Sequence, residues 1–237
     1  MKIAGSVALV TGANRGMGPH YVEQLLERGA TKVYATARRP ESIDLPGAEV
    51  LALDIADPES VRAVAAAASD VSLVINNAGI SAGQSLITGD LAVIRQELET
   101  NLFGTLSVVR EFAPVLAANG GGAVLNVLSA MSWFSVQGAG NGYAVSKAAE
   151  WSMTNGIRLE LLGQGTQVSG LIIGAVDTDM MAGYDIPKAH PADIVRTALD
   201  GIEAGLIEIV ADEWSATVKA ALANDPALFY PQTVPAT

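Results

Sequence analysis

The sequence predicts an α/β fold: a doubly wound, seven-stranded parallel sheet with helices on both faces. Three observations carry that expectation. Short β-branched runs alternate with longer segments of helical period, the pattern that builds a parallel sheet covered by crossover helices. The runs are near-continuously apolar rather than alternating, as strands are when both faces of a sheet are covered. The chain of 237 residues has neither an internal repeat nor a Pro/Ser-rich linker, so residues 1–237 are expected to form one domain.

The expected strands are Val7–Thr11, Lys32–Thr36, Glu49–Asp54, Val71–Asn76, Gly122–Ser129, Gln167–Ile173 and Leu206–Val210. Between the first two, Val22, Leu25, Leu26 and Gly29 fall at i, i+3, i+4 and i+7, with Pro19 in the first turn where its missing N–H costs little. That helix is expected to end at Gly29. Asp57-Pro58-Glu59 supplies a cap, a proline and an acid for the next helix, which Val61–Ala68 continues. Long helices are expected around Asn101–Ala118 and Tyr143–Leu162, and another from near Pro191. A short substrate region is expected near 179–190. The tail from Asp225 to Thr237, with Pro226, Pro231 and Pro235, is expected to run extended with Phe229 and Tyr230 docked.

Composition excludes several classes of function. Half the residues are apolar and 16% are charged, which fits a compact globular chain. The net charge of −11, with no Lys/Arg cluster, argues against a nucleic-acid partner. The absence of cysteine removes disulfides, thiolate metal sites and a cysteine nucleophile. His20 and His190 lack metal-ligand spacing, so no metal is expected. Apolar runs such as Val168–Val176 are broken by glycine and fall far below the roughly 20 residues needed to cross a bilayer, so no membrane partner is expected. Met1–Gly5 has no apolar export segment, and a cytoplasmic location is the expectation.

After the first strand comes Thr11-Gly12-Ala13-Asn14-Arg15-Gly16-Met17-Gly18, a glycine-rich turn opening a helix. Glycine allows the tight turn and close backbone approach, and the helix N-terminus offers free N–H groups to a pyrophosphate. At the end of the second strand, where an NAD-binding chain places a carboxylate on the ribose, the sequence reads Ala37-Arg38-Arg39. A cation there suits a 2′-phosphate, and Arg15 could add a second positive charge. The charges point to NADP(H), although solvated surface arginines would read the same way. Further on, Tyr143 and Lys147 share a helix face at i, i+4, a spacing that lets the ammonium lower the phenol pKa toward neutral pH for acid–base work.

Together, Thr11–Gly18, Asn76-Asn77-Ala78-Gly79, Asn101-Leu102-Phe103-Gly104, Asn126-Val127-Leu128-Ser129 and Tyr143–Lys147 resemble the short-chain dehydrogenase/reductase family in its compact single-domain branch. The resemblance covers nearly the whole chain. It implies a Rossmann fold and an oxidoreductase moving hydride between nicotinamide and a carbonyl or alcohol carbon. In that light Tyr143 looks like the acid/base, Lys147 the residue that lowers its pKa and holds the ribose, and Ser129 the hydrogen-bond partner of the substrate oxygen. Asn101 matches the asparagine that bends its helix and holds a relay water. Asp54 and Ile55 resemble the adenine contacts, Asn77, Ala78 and Gly79 the segment bordering the cofactor, and Gly174, Val176 and Thr178 the turn around the carboxamide. Ser129 as a strand-end serine, Asn101 as a helix cap and Asp54 as a turn former are the competing structural readings.

The sequence departs from the family pattern at Ile173, where proline is usual, and at Leu128, where serine is usual. Ser132 is a second candidate for the substrate oxygen. Met131, Trp133, Phe134, Met180, Met181 and Tyr184 are expected to line an apolar substrate pocket, left open or completed by a partner, that takes a small hydrophobic ketone or aldehyde. The resemblance also implies a homodimer or homotetramer, with Trp151, Met153 and Leu159 offering the contact face. A non-catalytic NADP(H)-sensing protein on the same fold is the alternative reading, and the filled catalytic set speaks against it.

Overall fold

The computed structural model describes residues 1–230. Seven strands form one sheet, each paired in parallel with its neighbours: β1 (Val7–Thr11), β2 (Lys32–Ala37), β3 (Glu49–Ala52), β4 (Leu73–Asn76), β5 (Ala123–Val127), β6 (Gln167–Ile172) and β7 (Glu208–Val210). Their spatial order is β3-β2-β1-β4-β5-β6-β7. The winding therefore reverses between β1 and β4, and the loops leaving those two strands diverge to open a crevice at their carboxyl ends.

Alternating strand residues feed two cores. Ala8 and Val10 of β1 pack toward α1 (Gly18–Glu27) and α6 (Pro191–Glu203), which contribute Tyr21, Val22, Leu25, Ile194, Val195 and Leu199. Leu9 faces the opposite way, toward α2 (Pro58–Ala67), α4 (Thr105–Ala118) and α5 (Asn141–Glu160). Val61, Val108, Phe112, Leu116 and Ile157 complete that layer. Burying both faces removes apolar surface from water at about 25 cal/mol per Å², which is why the strands read as continuous hydrophobic runs.

All seven expected strands are present, several shorter than expected at one or both ends. The edge strand β3 breaks the both-faces-covered expectation, since Glu49, Val50 and Ala52 are exposed. An edge has one neighbour strand and little helix above it. Asp57 caps α2 by accepting from the Glu59 N–H at 3.0 Å, as its sequence position requires. Gly29 follows α1 with φ +84°, a left-handed turn that glycine enters without steric cost.

Two expectations need correction at the C-terminus. The tail is not extended throughout: after α7 (Glu213–Ala221), Asp225 caps the single-turn α8 (Pro226–Phe229). Proline at the first helical position is compatible with helix, so Pro226 starts a turn rather than preventing one. Pro231 and Pro235 lie outside the described residues. The aromatics do dock, Phe229 against the cluster of Leu128, Ala130, Ile172 and Val218, while the Tyr230 hydroxyl accepts from the Ser135 N–H at 3.0 Å. The segment α3 (Leu91–Leu98), capped by Asp90, was not singled out in the sequence. Among the described residues, no helix is long and apolar enough to cross a membrane.

Candidate active site

The crevice above the switch point has a volume of about 1350 Å³ and gathers residues from most of the chain. Gly12, Asn14, Arg15, Gly16 and Met17 form one wall. A Cβ on Gly12 would sit 3.0 Å from the Ala78 Cα, so only glycine lets the β1 and β4 turns meet this closely. Gly16, at φ +62°, lies against Thr178 across the opening. Gly18 does not line the crevice. It begins α1, and a Cβ there would fall 2.2 Å from the Gly12 carbonyl oxygen, so its role is to let helix and turn pack together.

Arg38 and Arg39 stand exposed at the end of β2 beside the buried Ala37, and all three border the crevice with Asp54 and Ile55. Among the described residues neither Arg15 nor Arg38 is engaged in an ion pair. Asp54 also serves locally, accepting from the Ala56 N–H at 3.1 Å. The two asparagines after β4 divide their work. Asn76 bonds Asn126 across the sheet at 2.9 Å, whereas Asn77 reaches the carbonyls of Thr11 and Gly12 and fixes the glycine turn.

Ser129, Tyr143 and Lys147 line the same crevice. The Ser129 hydroxyl accepts from the Met131 N–H at 3.1 Å, fulfilling the structural reading at the pocket wall itself. Asn101 lies within a π-helical segment, Glu99–Gly104, so the helix does deform there. It is fully buried and off the crevice wall, exchanging hydrogen bonds with the Ile80 backbone and donating to Ser146 Oγ at 2.9 Å. Gly174, Val176 and Thr178 form the far wall, and the Gly174 N–H donates to Asp212 Oδ2 at 2.6 Å.

The electrostatics differ from the expectation of a lowered tyrosine pKa. Burial raises the Tyr143 pKa, and the Lys147 ammonium and a hydrogen bond shared with Ser129 oppose that without overcoming it. Burial of the phenol is the main cause, and the Glu150 and Glu97 carboxylates add to it in smaller measure. Lys147 Nζ, 5.9 Å from the Tyr143 ring centre, donates to Glu150 Oε2 at 2.6 Å and to the Val127 carbonyl at 2.8 Å. Burial alone would depress the lysine, but the Glu150 carboxylate and Tyr143 leave its pKa raised. Glu150, 1% exposed, has its own pKa raised by burial, against the pull of Lys147 and Thr105. Sequence reasoning missed Glu150, although its i+3 spacing from Lys147 is visible. It also missed Glu97 of α3, fully buried, whose Oε1 holds the Ala82 N–H at 2.7 Å.

On the substrate side Met131, Phe134, Met180, Met181 and Tyr184 line the crevice as expected. Trp133 does not: its ring packs edge-on against Trp151 at 6.4 Å between centroids, because the cluster under α7 draws it inward. Ser132 is buried, does not line the crevice as Ser129 does, and among the described residues its hydroxyl has no hydrogen-bond partner. The pocket is not merely open. The segment 177–189 is pinned at its base by a bridge between Val176 and Ala189, and Trp214 of α7 adds a wall, edge-on to Phe134 at 5.9 Å. Trp151 is half-buried and donates to Glu208 at 3.2 Å, while Leu159 is 74% exposed.

Comparison with known proteins follows the same lines. Residues 6–188 match the family model described as short chain dehydrogenase. A short chain dehydrogenase from Burkholderia cenocepacia J2315, solved in complex with NADP, is 37% identical, with a TM-score of 0.94 over 99% of this chain and 100% of that one. The 1-deoxy-11-beta-hydroxypentalenate dehydrogenase of Streptomyces exfoliatus is 34% identical over 87% of this chain and 80% of its own length. The 3-oxoacyl-[acyl-carrier-protein] reductase FabG of Vibrio cholerae is 32% identical over 76% of this chain and 77% of its own.

Proposed function

The chain belongs to the short-chain dehydrogenase family of oxidoreductases, and from that premise we propose that it is an NADP(H)-dependent enzyme interconverting a carbonyl and an alcohol on a small hydrophobic molecule. One observation carries the reading: the glycine turn with its close-packed Gly12–Ala78 contact opens into the same crevice as Ser129, Tyr143 and Lys147. A nucleotide fits the residues present. The crevice is long enough to reach from the β2 arginines to Tyr143, and Gly12 and Gly16 leave their backbone uncovered for a pyrophosphate. Arg38 would meet a 2′-phosphate that Ala37 cannot discriminate against, and the Burkholderia relative carries NADP.

When bound, the nicotinamide supplies or accepts the hydride. Ser129 orients the substrate oxygen, and Tyr143 donates its proton there in reduction or removes it in oxidation. A phenol with a raised pKa is fully protonated at neutral pH, which suits the donor role. Met131, Phe134, Met180 and Trp214 exclude water from the reacting carbon and favour an apolar substrate. The Streptomyces dehydrogenase and the Vibrio reductase are consistent with chemistry running in either direction.

Changing Tyr143 to Phe tests the assignment, because it removes one hydroxyl and keeps the ring. Turnover, followed by NADPH absorbance over a set of ketones and aldehydes, is expected to fall by about 10²–10⁴-fold, with NADPH binding nearly unchanged. Near-normal turnover in that variant would overturn the mechanism.

A further inference from the structure

Glu150 sits at the centre of a buried polar cluster that the proposed chemistry leaves unused. Its Oε2 holds the Lys147 ammonium at 2.6 Å, and its Oε1 accepts from Thr105 Oγ1 at 3.4 Å. Its own backbone carbonyl takes the Thr154 hydroxyl at 2.8 Å, and Asn126 of β5 donates to Thr154 at 2.9 Å. This carboxylate cannot rotate to water: the side chain is 1% exposed, and that of Lys147 is 7%. An ion pair so enclosed carries a large desolvation cost, which its partners must offset to keep it charged. Nothing in the local fold demands an acid here, since helix α5 would propagate equally well with glutamine or an apolar residue.

We propose that Glu150 is a positioning residue for the Tyr143 acid/base. It holds the Lys147 ammonium beside the Val127 carbonyl and offsets the charge that the lysine presents to Tyr143. The inference rests on the assignment of Tyr143 as the acid/base. The charged groups acting on the Tyr143 hydroxyl are Lys147 and Glu150 on its own helix and Glu97 from α3. The lysine favours the phenolate and both carboxylates disfavour it, with burial adding to their side. Reduction requires the protonated phenol and is lost as pH rises through its pKa, whereas oxidation requires the phenolate and is gained there. With Lys147 still charged, removing the Glu150 charge lowers that pKa and moves both limbs to lower pH; limbs that moved up instead would show that Glu150 acts by keeping the buried lysine charged, and would overturn the proposal.

The test is Glu150→Gln, which keeps size and hydrogen bonding but not charge. The alkaline limb of kcat/KM for carbonyl reduction is expected to move down by about one pH unit or more. The Tyr143 phenol, read without turnover as the ultraviolet titration difference between each protein and its Tyr143→Phe counterpart, is expected to move with it. Thr105→Val, which removes only the second hydrogen bond to Glu150, is expected to displace both readouts the same way by less, and serves if Glu150→Gln does not fold. An unmoved limb and titration, with rates lowered equally at every pH, would overturn the proposal and leave Glu150 a structural group. Turnover by Tyr143→Phe alone would instead sink the acid/base assignment on which it rests.

Discussion

At the carboxyl end of β2 the crevice meets a methyl group at Ala37 and an exposed guanidinium at Arg38. A planar guanidinium pairs two phosphate oxygens at once, and a hydrogen bond to a charged group contributes about 1.5–3 kcal/mol. Arg38→Asp replaces that donor with a group that repels a phosphate and accepts from a ribose hydroxyl. NADPH binding is expected to weaken by about ten-fold or more relative to NADH, reversing the order of affinities in a fluorescence titration. Equal affinities in the unaltered protein would remove the argument from Arg38. At the other end of the crevice the residue scale is less transparent from order alone. The sequence named Tyr143 and Lys147 correctly as crevice residues, and Lys147 does pull the phenol pKa down as its spacing predicts, but burial of the phenol, which the sequence does not display, outweighs it.

Among the elements, the β1 turn and α1 are the most legible from sequence. Their spacing is local, and the requirement for glycine follows from backbone sterics within a few residues. Gly18→Ala brings a methyl carbon to within 2.2 Å of the Gly12 carbonyl if nothing moves. The helix must shift away, at about 1–3 kcal/mol. Thermal unfolding is expected to show that loss, together with weaker NADPH binding, since the displaced turn is the one proposed to cradle the pyrophosphate. Unchanged stability would mean that the turn relaxes freely. The short helices α3, α7 and α8 were not legible, because their apolar faces are brief and interrupted: Trp214 and Leu222 of the α7 region remain half exposed. Their caps, Asp90, Asp212 and Asp225, are visible only once the chain direction is known.

On the scale of the whole molecule, the C-terminal segment returns to complete a site begun near the N-terminus. Asp212 caps α7 through the Ser215 N–H at 2.8 Å and holds the Gly174 N–H at 2.6 Å, so one carboxylate locks helix α7 to the turn after β6. Asp212→Ala removes the cap and leaves an N–H unpaired, a loss of about 1–3 kcal/mol. A fall in Tm with a raised KM for carbonyl substrate is the expected outcome. A change in stability with unaltered KM would confine Asp212 to folding. By itself the sequence determined the sheet, its seven strands, the glycine turn and the family motifs, because periodicity and turn chemistry act over neighbouring residues. Only the tertiary structure decided that Trp133 and Trp151 face each other rather than solvent or substrate, that α7 closes the pocket, and that Lys147 is held by Glu150. Those outcomes depend on burial and on the charges that burial brings together, which arise when α5 packs against β5 and α4 and are written in no single stretch of chain.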